Sequence, residues 1–195
     1  MGSERVYRQL AAFPNLLTLL RLVIIPFIVI NVVDRNYRWA LGLFVLAGIS
    51  DFFDGMLARV LQQRTQLGQY LDPIADKMLL STLFLVLSIM HKIPWKYTVL
   101  VFSRDFSILM VSGVLYVTSS LRDFSPSIFG KLNTTAQIAA VFFVMLHEVV
   151  PATWIALGRR IGLYATMAFT ILSGLHYIVL VGQRLRTNSG SGARV

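Results

Sequence analysis

The chain has 195 residues, of which 56% are hydrophobic and 14% charged, with a formal net charge of +9 and no cysteine. A charged fraction so far below the roughly 25% of a soluble domain excludes an ordinary soluble protein and points to an integral membrane one. Disulfide and thiol chemistry are excluded outright. The surplus of Lys and Arg, gathered at the ends of apolar runs, speaks for anionic headgroups and membrane topology rather than nucleic acid.

Residues 1–12 mix polar and apolar side chains with Arg5 and Arg8 and read as a short interfacial helix. The first apolar run, 13–33, opens on Pro14, which suits a helix start. Asn15, Thr18 and Arg21 recur every three residues along it as a polar stripe. Arg21 lies too deep to snorkel and is expected to face the bundle interior. With Phe13-Pro14 at its head and an arginine inside, this run does not read as a cleavable signal peptide. Residues 34–38 form a polar turn, with Tyr37 and Trp39 expected as interfacial anchors. The remaining spans are expected at 39–59, 68–90, 97–120, 128–146 and 161–185. Residues 60–67, 91–96, 121–127 and 147–160 are then loops, and a Gly/Ser-rich tail at 186–195 is expected to be disordered. The expected fold is all-α: six transmembrane helices after the interfacial helix, with one catalytic domain over 13–185. Ala165, Ala168, Ser173 and Gly174 are small residues suited to close helix packing in the sixth span. His91, His147 and His176 are scattered and read as non-catalytic.

Chemistry concentrates between Asp51 and Asp76, in the pattern D-x-x-D-G-x-x-A-R-x8-G-x3-D-x3-D. Four of the nine acidic residues lie in this window, at the borders of two apolar runs. A carboxylate there costs roughly 2.5–3.5 kcal/mol at a helix centre unless it is paired or ligates a cation. Asp51 and Asp54 are three apart and share one helical face; Asp72 and Asp76 are four apart and share another. If the two segments pack antiparallel, four carboxylates converge, a set of hard oxygen ligands suited to Mg²⁺, Mn²⁺ or Ca²⁺. Gly55 and Ala58 leave room on the first face for a ligand, and Arg59 offers a cation to a phosphate. A lone Asp-x-x-Asp pair at a helix end is common and weak; the full spacing is not.

Further cations lie within or beside the later spans. Lys77 either pairs with an aspartate or contacts a phosphate. Arg104 stands next to Asp105, which reads as an internal ion pair or, for the arginine, a phosphate ligand. Lys131 lies near a helix N-terminus, where backbone amides also favour anions, or simply sets topology. With six spans both termini share one side, which carries more Lys and Arg and is expected to face the cytoplasm together with the aspartates.

The Asp51–Asp76 pattern resembles the signature of the CDP-alcohol phosphatidyltransferases. The Pro14-Asn15-x-x-Thr18-x-x-Arg21 opening and the six-span plan resemble that family too. The resemblance implies an enzyme that uses an alcohol to displace CMP from CDP-diacylglycerol. It implies Asp51, Asp54, Asp72 and Asp76 as ligands of two Mg²⁺ or Mn²⁺ ions, and Asp76 as general base. Gly55, Ala58, Arg59 and Gly68 would contact the CDP moiety, and Arg21, Lys77, Arg104 and Lys131 a phosphate of the acceptor, with Asn15 and Thr18 as polar lining. A homodimer in a bacterial cytoplasmic or mitochondrial inner membrane is also implied.

Within the family, phosphatidylglycerophosphate synthases usually carry Arg-Glu with a second arginine eight residues on, and Gly-Lys-x-Lys-Thr on the fifth span. This chain has Arg104-Asp105 with Ser112 eight residues after Arg104, and Gly130-Lys131-Leu132-Asn133-Thr134. Both departures resemble the cardiolipin synthases and lean toward phosphatidylglycerol as acceptor, with glycerol-3-phosphate the alternative. A divalent-cation transporter is the rival from another class. It would not need Gly55, Ala58, Arg59 and Gly68 at these spacings, and its site belongs near mid-membrane.

Overall fold

The computed structural model describes residues 13–60, 66–118 and 128–191, with side chains described over 18–51, 74–108, 110 and 130–175. The described residues form six helices and no strand. These are α1 (Phe13–Val33), α2 (Tyr37–Val60), α3 (Gln66–Ile89), α4 (Trp95–Thr118), α5 (Ile128–Val149) and α6 (Thr153–Ser191). The expected interfacial segment, residues 1–12, lies outside the described residues.

Tight reversals join α1 to α2, α3 to α4 and α5 to α6. Just past the ends of both α1 and α3 stands a residue with left-handed backbone, Arg35 at φ 61° and His91 at φ 57°. The amide of Asn36 donates to the Asn31 carbonyl at 2.8 Å, and that of Lys92 to the Leu87 carbonyl at 2.8 Å. These six-to-one bonds close the last turns in the Schellman manner, here without the usual glycine. After Pro151, the Ala152 carbonyl accepts from Ile155 and Ala156 and starts α6. Helix direction therefore alternates, and these three turns share one end of the bundle.

That end is pinned by Lys92. Its Nζ lies 2.5 Å from Glu148 Oε2 and 5.4 Å from the centre of the Tyr37 ring, while Arg159 donates to the Lys92 carbonyl at 2.7 Å. Tyr37, expected as an interfacial anchor, is instead buried beneath this cluster. Trp39, Trp95 and Trp154, all near helix starts at this end, are exposed. A loop was expected over 147–160; the connection is only residues 150–152, and Arg159 and Arg160 sit on α6. The helix also runs through Ser191, into the stretch expected as a disordered tail.

Helix α1 packs against both α2 and α3, α5 packs along α6, and α6 and α2 reach α4 and α5 respectively. Ile28, Val32, Ala40, Ala47, Leu83, Phe84, Leu87, Val141 and Val144 fill the core. The outer face is apolar as well: Val23, Phe27, Ile30, Phe106, Ile161 and Tyr164 are all exposed. Within the described residues, two helical stretches are long and apolar enough to cross a membrane, Gly130–Val149 and Thr153–Leu175. The apolar stretch Thr18–Val33 is shorter. In α2, α3 and α4, Asp51, Asp76, Lys77, Arg104 and Asp105 interrupt the apolar runs.

Close packing of α5 on α6 rests on glycines that residue type alone did not single out. A Cβ on Gly162 would stand 2.9 Å from the Ala140 Cα, and one on Gly158 2.7 Å from the Phe143 ring. Gly174, expected to serve this purpose, has nothing within 4 Å of such a Cβ, and Ala168 is exposed.

Candidate active site

The site lies well away from the Lys92 cluster, from mid-helix toward the other end of the bundle. Its centre is Arg21, 1% exposed, in the middle of α1. One guanidinium nitrogen donates to Asp51 Oδ1 at 2.6 Å and the other to Asp76 Oδ1 at 2.7 Å. A single planar fork thus ties α2 and α3 to the helix that packs against both. The first and last aspartates of the sequence pattern meet at Arg21 of α1; the expected convergence of all four involves Asp54 and Asp72, whose side chains lie outside the described residues. Thr18, one turn before Arg21, is fully buried.

The two carboxylates are not buried with the arginine. Asp51 is 48% and Asp76 40% exposed at the side chain, so both present an open flank. Each carboxylate can accept further bonds beyond the one from Arg21. Helical spacing places Asp54 one turn from Asp51, and Asp72 one turn from Asp76. The backbone at these four positions is helical, but the side chains of Asp54, Gly55, Ala58, Arg59, Gly68 and Asp72 lie outside the described residues, as does that of Asn15. Among the described residues no group of three or more potential ligands is gathered. The donor chemistry nevertheless fits a hard divalent ion: two half-exposed carboxylates from separate helices, held at one point.

A second ionic cluster begins at the next residue. Lys77 Nζ lies 2.8 Å from Asp105 Oδ1, and Arg104 Nη1 donates to the same oxygen at 2.7 Å. Arg104 Nη2 donates to Ser173 Oγ at 2.9 Å, joining α4 to α6. For Lys77 and Arg104, then, pairing with an aspartate is what the structure displays, and the aspartate is Asp105. Two cations share one anion, which leaves the cluster a net charge of about +1 for any ligand. Lys131, in the first turn of α5, is exposed, with no ion-pair partner among the described residues.

The sequence reading missed a polar seam in the last two helices. Thr166, Thr170 and Ser173 are buried on one face of α6, and Asn133 and Gln137 on one face of α5. Thr170 Oγ1 donates to Asn133 Oδ1 at 2.8 Å. Three- and four-residue spacing of polar side chains within apolar helices was the available signal.

A family model described as CDP-alcohol phosphatidyltransferase matches residues 11–174. A cardiolipin synthase (CMP-forming) of Homo sapiens is 36% identical over 161 residues, 72% of this chain and 52% of that protein. The chain thus spans about half the length of that relative. A probable phosphatidylglycerophosphate synthase of Mycobacterium tuberculosis is 32% identical over 179 residues, 87% of this chain and 81% of that protein. A CDP-diacylglycerol–glycerol-3-phosphate 3-phosphatidyltransferase of Bacillus subtilis is 30% identical over 192 residues, covering 90% and 98% of the two chains.

Proposed function

The chain belongs to the CDP-alcohol phosphatidyltransferase family, and from that membership we propose that it transfers the phosphatidyl group of CDP-diacylglycerol to an acceptor alcohol, releasing CMP. The observation that carries the reading is the meeting of Asp51 and Asp76 at Arg21. It assembles, from three helices, the two outer carboxylates of the family pattern.

Asp51, Asp54, Asp72 and Asp76 would hold Mg²⁺ or Mn²⁺, two ions in this reading. Such ions would neutralise the pyrophosphate and stabilise charge on departing CMP. Arg21 orients Asp51 and Asp76 and offsets their mutual repulsion. Asp76 takes the proton of the acceptor hydroxyl as its oxygen bonds to the diacylglycerol-side phosphorus. The bond from that phosphorus to the CMP oxygen breaks, CMP leaves with the electron pair, and Asp76 returns its proton to solvent. Gly55, Ala58, Arg59 and Gly68 would line the CDP moiety.

The acceptor in this proposal is phosphatidylglycerol. The Lys77–Asp105–Arg104 cluster supports it, because a net single positive charge suits a phosphodiester monoanion better than a phosphomonoester dianion. Glycerol-3-phosphate is the second reading, favoured by the near-complete coverage of the Bacillus subtilis relative. We place the protein in a membrane through all six helices. At 1.5 Å per residue the 21 residues of α1 span about 30 Å, the thickness of a hydrocarbon core. The aspartates would face the cytoplasm, and a homodimer is expected.

Purified protein supplied with CDP-diacylglycerol and Mg²⁺ or Mn²⁺, and with each acceptor in a separate reaction, tests this. CMP release with phosphatidylglycerol alone supports the cardiolipin-forming reading. Release with glycerol-3-phosphate alone transfers the proposal to the second acceptor; release with neither removes both acceptors, and release with no other alcohol either overturns the reaction.

A further inference from the structure

Asn133 and Gln137 lie one turn apart on α5 and are 1% and 5% exposed. Both carry an amide nitrogen, Asn133 Nδ2 and Gln137 Nε2, that is buried without a hydrogen-bond partner. A buried, unsatisfied N–H₂ group is costly enough that native folds rarely keep one for packing alone, and two neighbours on one face compound that cost. The Asn133 amide is also oriented. Thr170 Oγ1 donates to its Oδ1, an arrangement that turns the nitrogen away from Thr170. Thr170 stands one turn from Ser173, which holds Arg104, whose ion pair reaches Lys77 beside Asp76. The two amides therefore belong to the same end of the bundle as the aspartates, at the far end of one hydrogen-bonded seam. Arg104 Nε in that seam is likewise buried without a partner. The seam's buried atoms Asn133 Nδ2, Gln137 Nε2 and Arg104 Nε, each without a partner, are all donors, so they complement a group of acceptors.

We propose that Asn133 and Gln137 are specificity residues that donate uncharged hydrogen bonds to the phosphodiester oxygens of the acceptor lipid, with Thr170 as the positioning residue. The inference rests on the phosphatidyltransferase reading above and deepens it. Neutral amides add donors without adding charge. Together with a cation cluster of net +1 they match a singly charged diester and leave a dianionic monoester under-compensated.

The test uses the full-length protein and steady-state CMP release, varying acceptor and CDP-diacylglycerol separately. Asn133→Asp keeps shape and the Thr170 bond but replaces the donor with a repelling oxygen. Gln137→Met removes the second donor at similar volume. Thr170→Val removes the orienting hydroxyl. Each of the first two is expected to raise the KM for phosphatidylglycerol about tenfold or more, with the KM for CDP-diacylglycerol within about twofold. Thr170→Val should give a smaller rise of the same kind. Unchanged acceptor KM in folded Asn133→Asp and Gln137→Met, with only a lowered unfolding temperature, would mean that the amides hold a bridging water, and would overturn the proposal. A parallel rise for both substrates would overturn it as well. If Asn133→Asp does not fold, Gln137→Met and Thr170→Val decide by the same criteria. A wild-type protein that releases no CMP with any acceptor sinks the underlying reaction instead, which separates the two failures.

Discussion

Arg21 and Asp76 are separated by 55 positions in the chain and by 2.7 Å in space. The same guanidinium holds Asp51 at 2.6 Å, so the position of each carboxylate depends on one buried side chain of α1. Arg21→Met should leave two carboxylates facing each other with nothing between them. A fully buried ion pair broken on one side costs about 3–5 kcal/mol. Here both aspartates are nearly half exposed, and screening brings the expectation to roughly 1–3 kcal/mol. Arg21→Lys keeps the charge but cannot fork to both oxygens, and should fall between the two. Thermal unfolding in detergent checks the stability, and CMP release is expected to drop far more than stability in both variants.

Asp76→Asn removes the proposed proton acceptor and keeps the shape. CMP release should fall by about 100-fold or more, the usual worth of a positioned base. Binding of the CDP-lipid should be largely retained. Turnover close to wild type in this variant would take the base role away from Asp76.

A divalent ion at the aspartates should be visible without turnover. Mg²⁺ or Mn²⁺ is expected to raise the unfolding temperature of the wild-type protein, because a ligand that binds only the folded state stabilises it. A chelator should reverse that shift and stop CMP release together, and the Asp51→Asn, Asp76→Asn double variant should show no shift. Metal-independent turnover contradicts the site.

The positions of these residues were legible in the sequence to different degrees. The Asp51–Asp76 spacing announced two carboxylate-bearing faces, and the depth of Arg21 in an apolar run announced that it turns inward. Helical periodicity gives a face but not a neighbour, so it could not reveal that α1 stands between α2 and α3. For Lys77 and Arg104 the sequence left an aspartate partner and a phosphate ligand both open, and it could not name Asp105 as the partner of Lys77 because the two lie on different helices. Most of the loop expected over 147–160 is helical, and from α6 Arg159 donates to the Lys92 carbonyl, a partner the sequence could not show.

Close contact between α5 and α6 was misassigned for a related reason: many residues are small, and only geometry says which of them faces a backbone. Gly162 does. Its replacement by valine would drive a side chain into the Ala140 Cα, which as backbone cannot swing aside. Overpacking of this kind costs about 1–3 kcal/mol. Gly174→Ala, with open space at its Cβ position, should be nearly neutral by the same unfolding measurement.

Asp105 gives the sharpest handle on acceptor choice. Its Oδ1 takes both Lys77 and Arg104, and its side chain is only 16% exposed, so it cancels one of two cations where water screens little. Asp105→Asn keeps the shape and raises the local charge by one. A dianionic phosphomonoester gains more from that extra charge than a monoanionic diester. The ratio of CMP release with glycerol-3-phosphate to that with phosphatidylglycerol should therefore rise, by about three- to tenfold for one partly screened interaction. The two uncovered cations will also repel, so some loss of thermal stability accompanies the change. The ratio is independent of that loss, because both acceptors meet the same folded fraction of enzyme. An unchanged ratio would mean that the Lys77–Asp105–Arg104 cluster holds α3 and α4 together without facing the acceptor. The weight of acceptor recognition would then fall on Lys131 and the α5 amides.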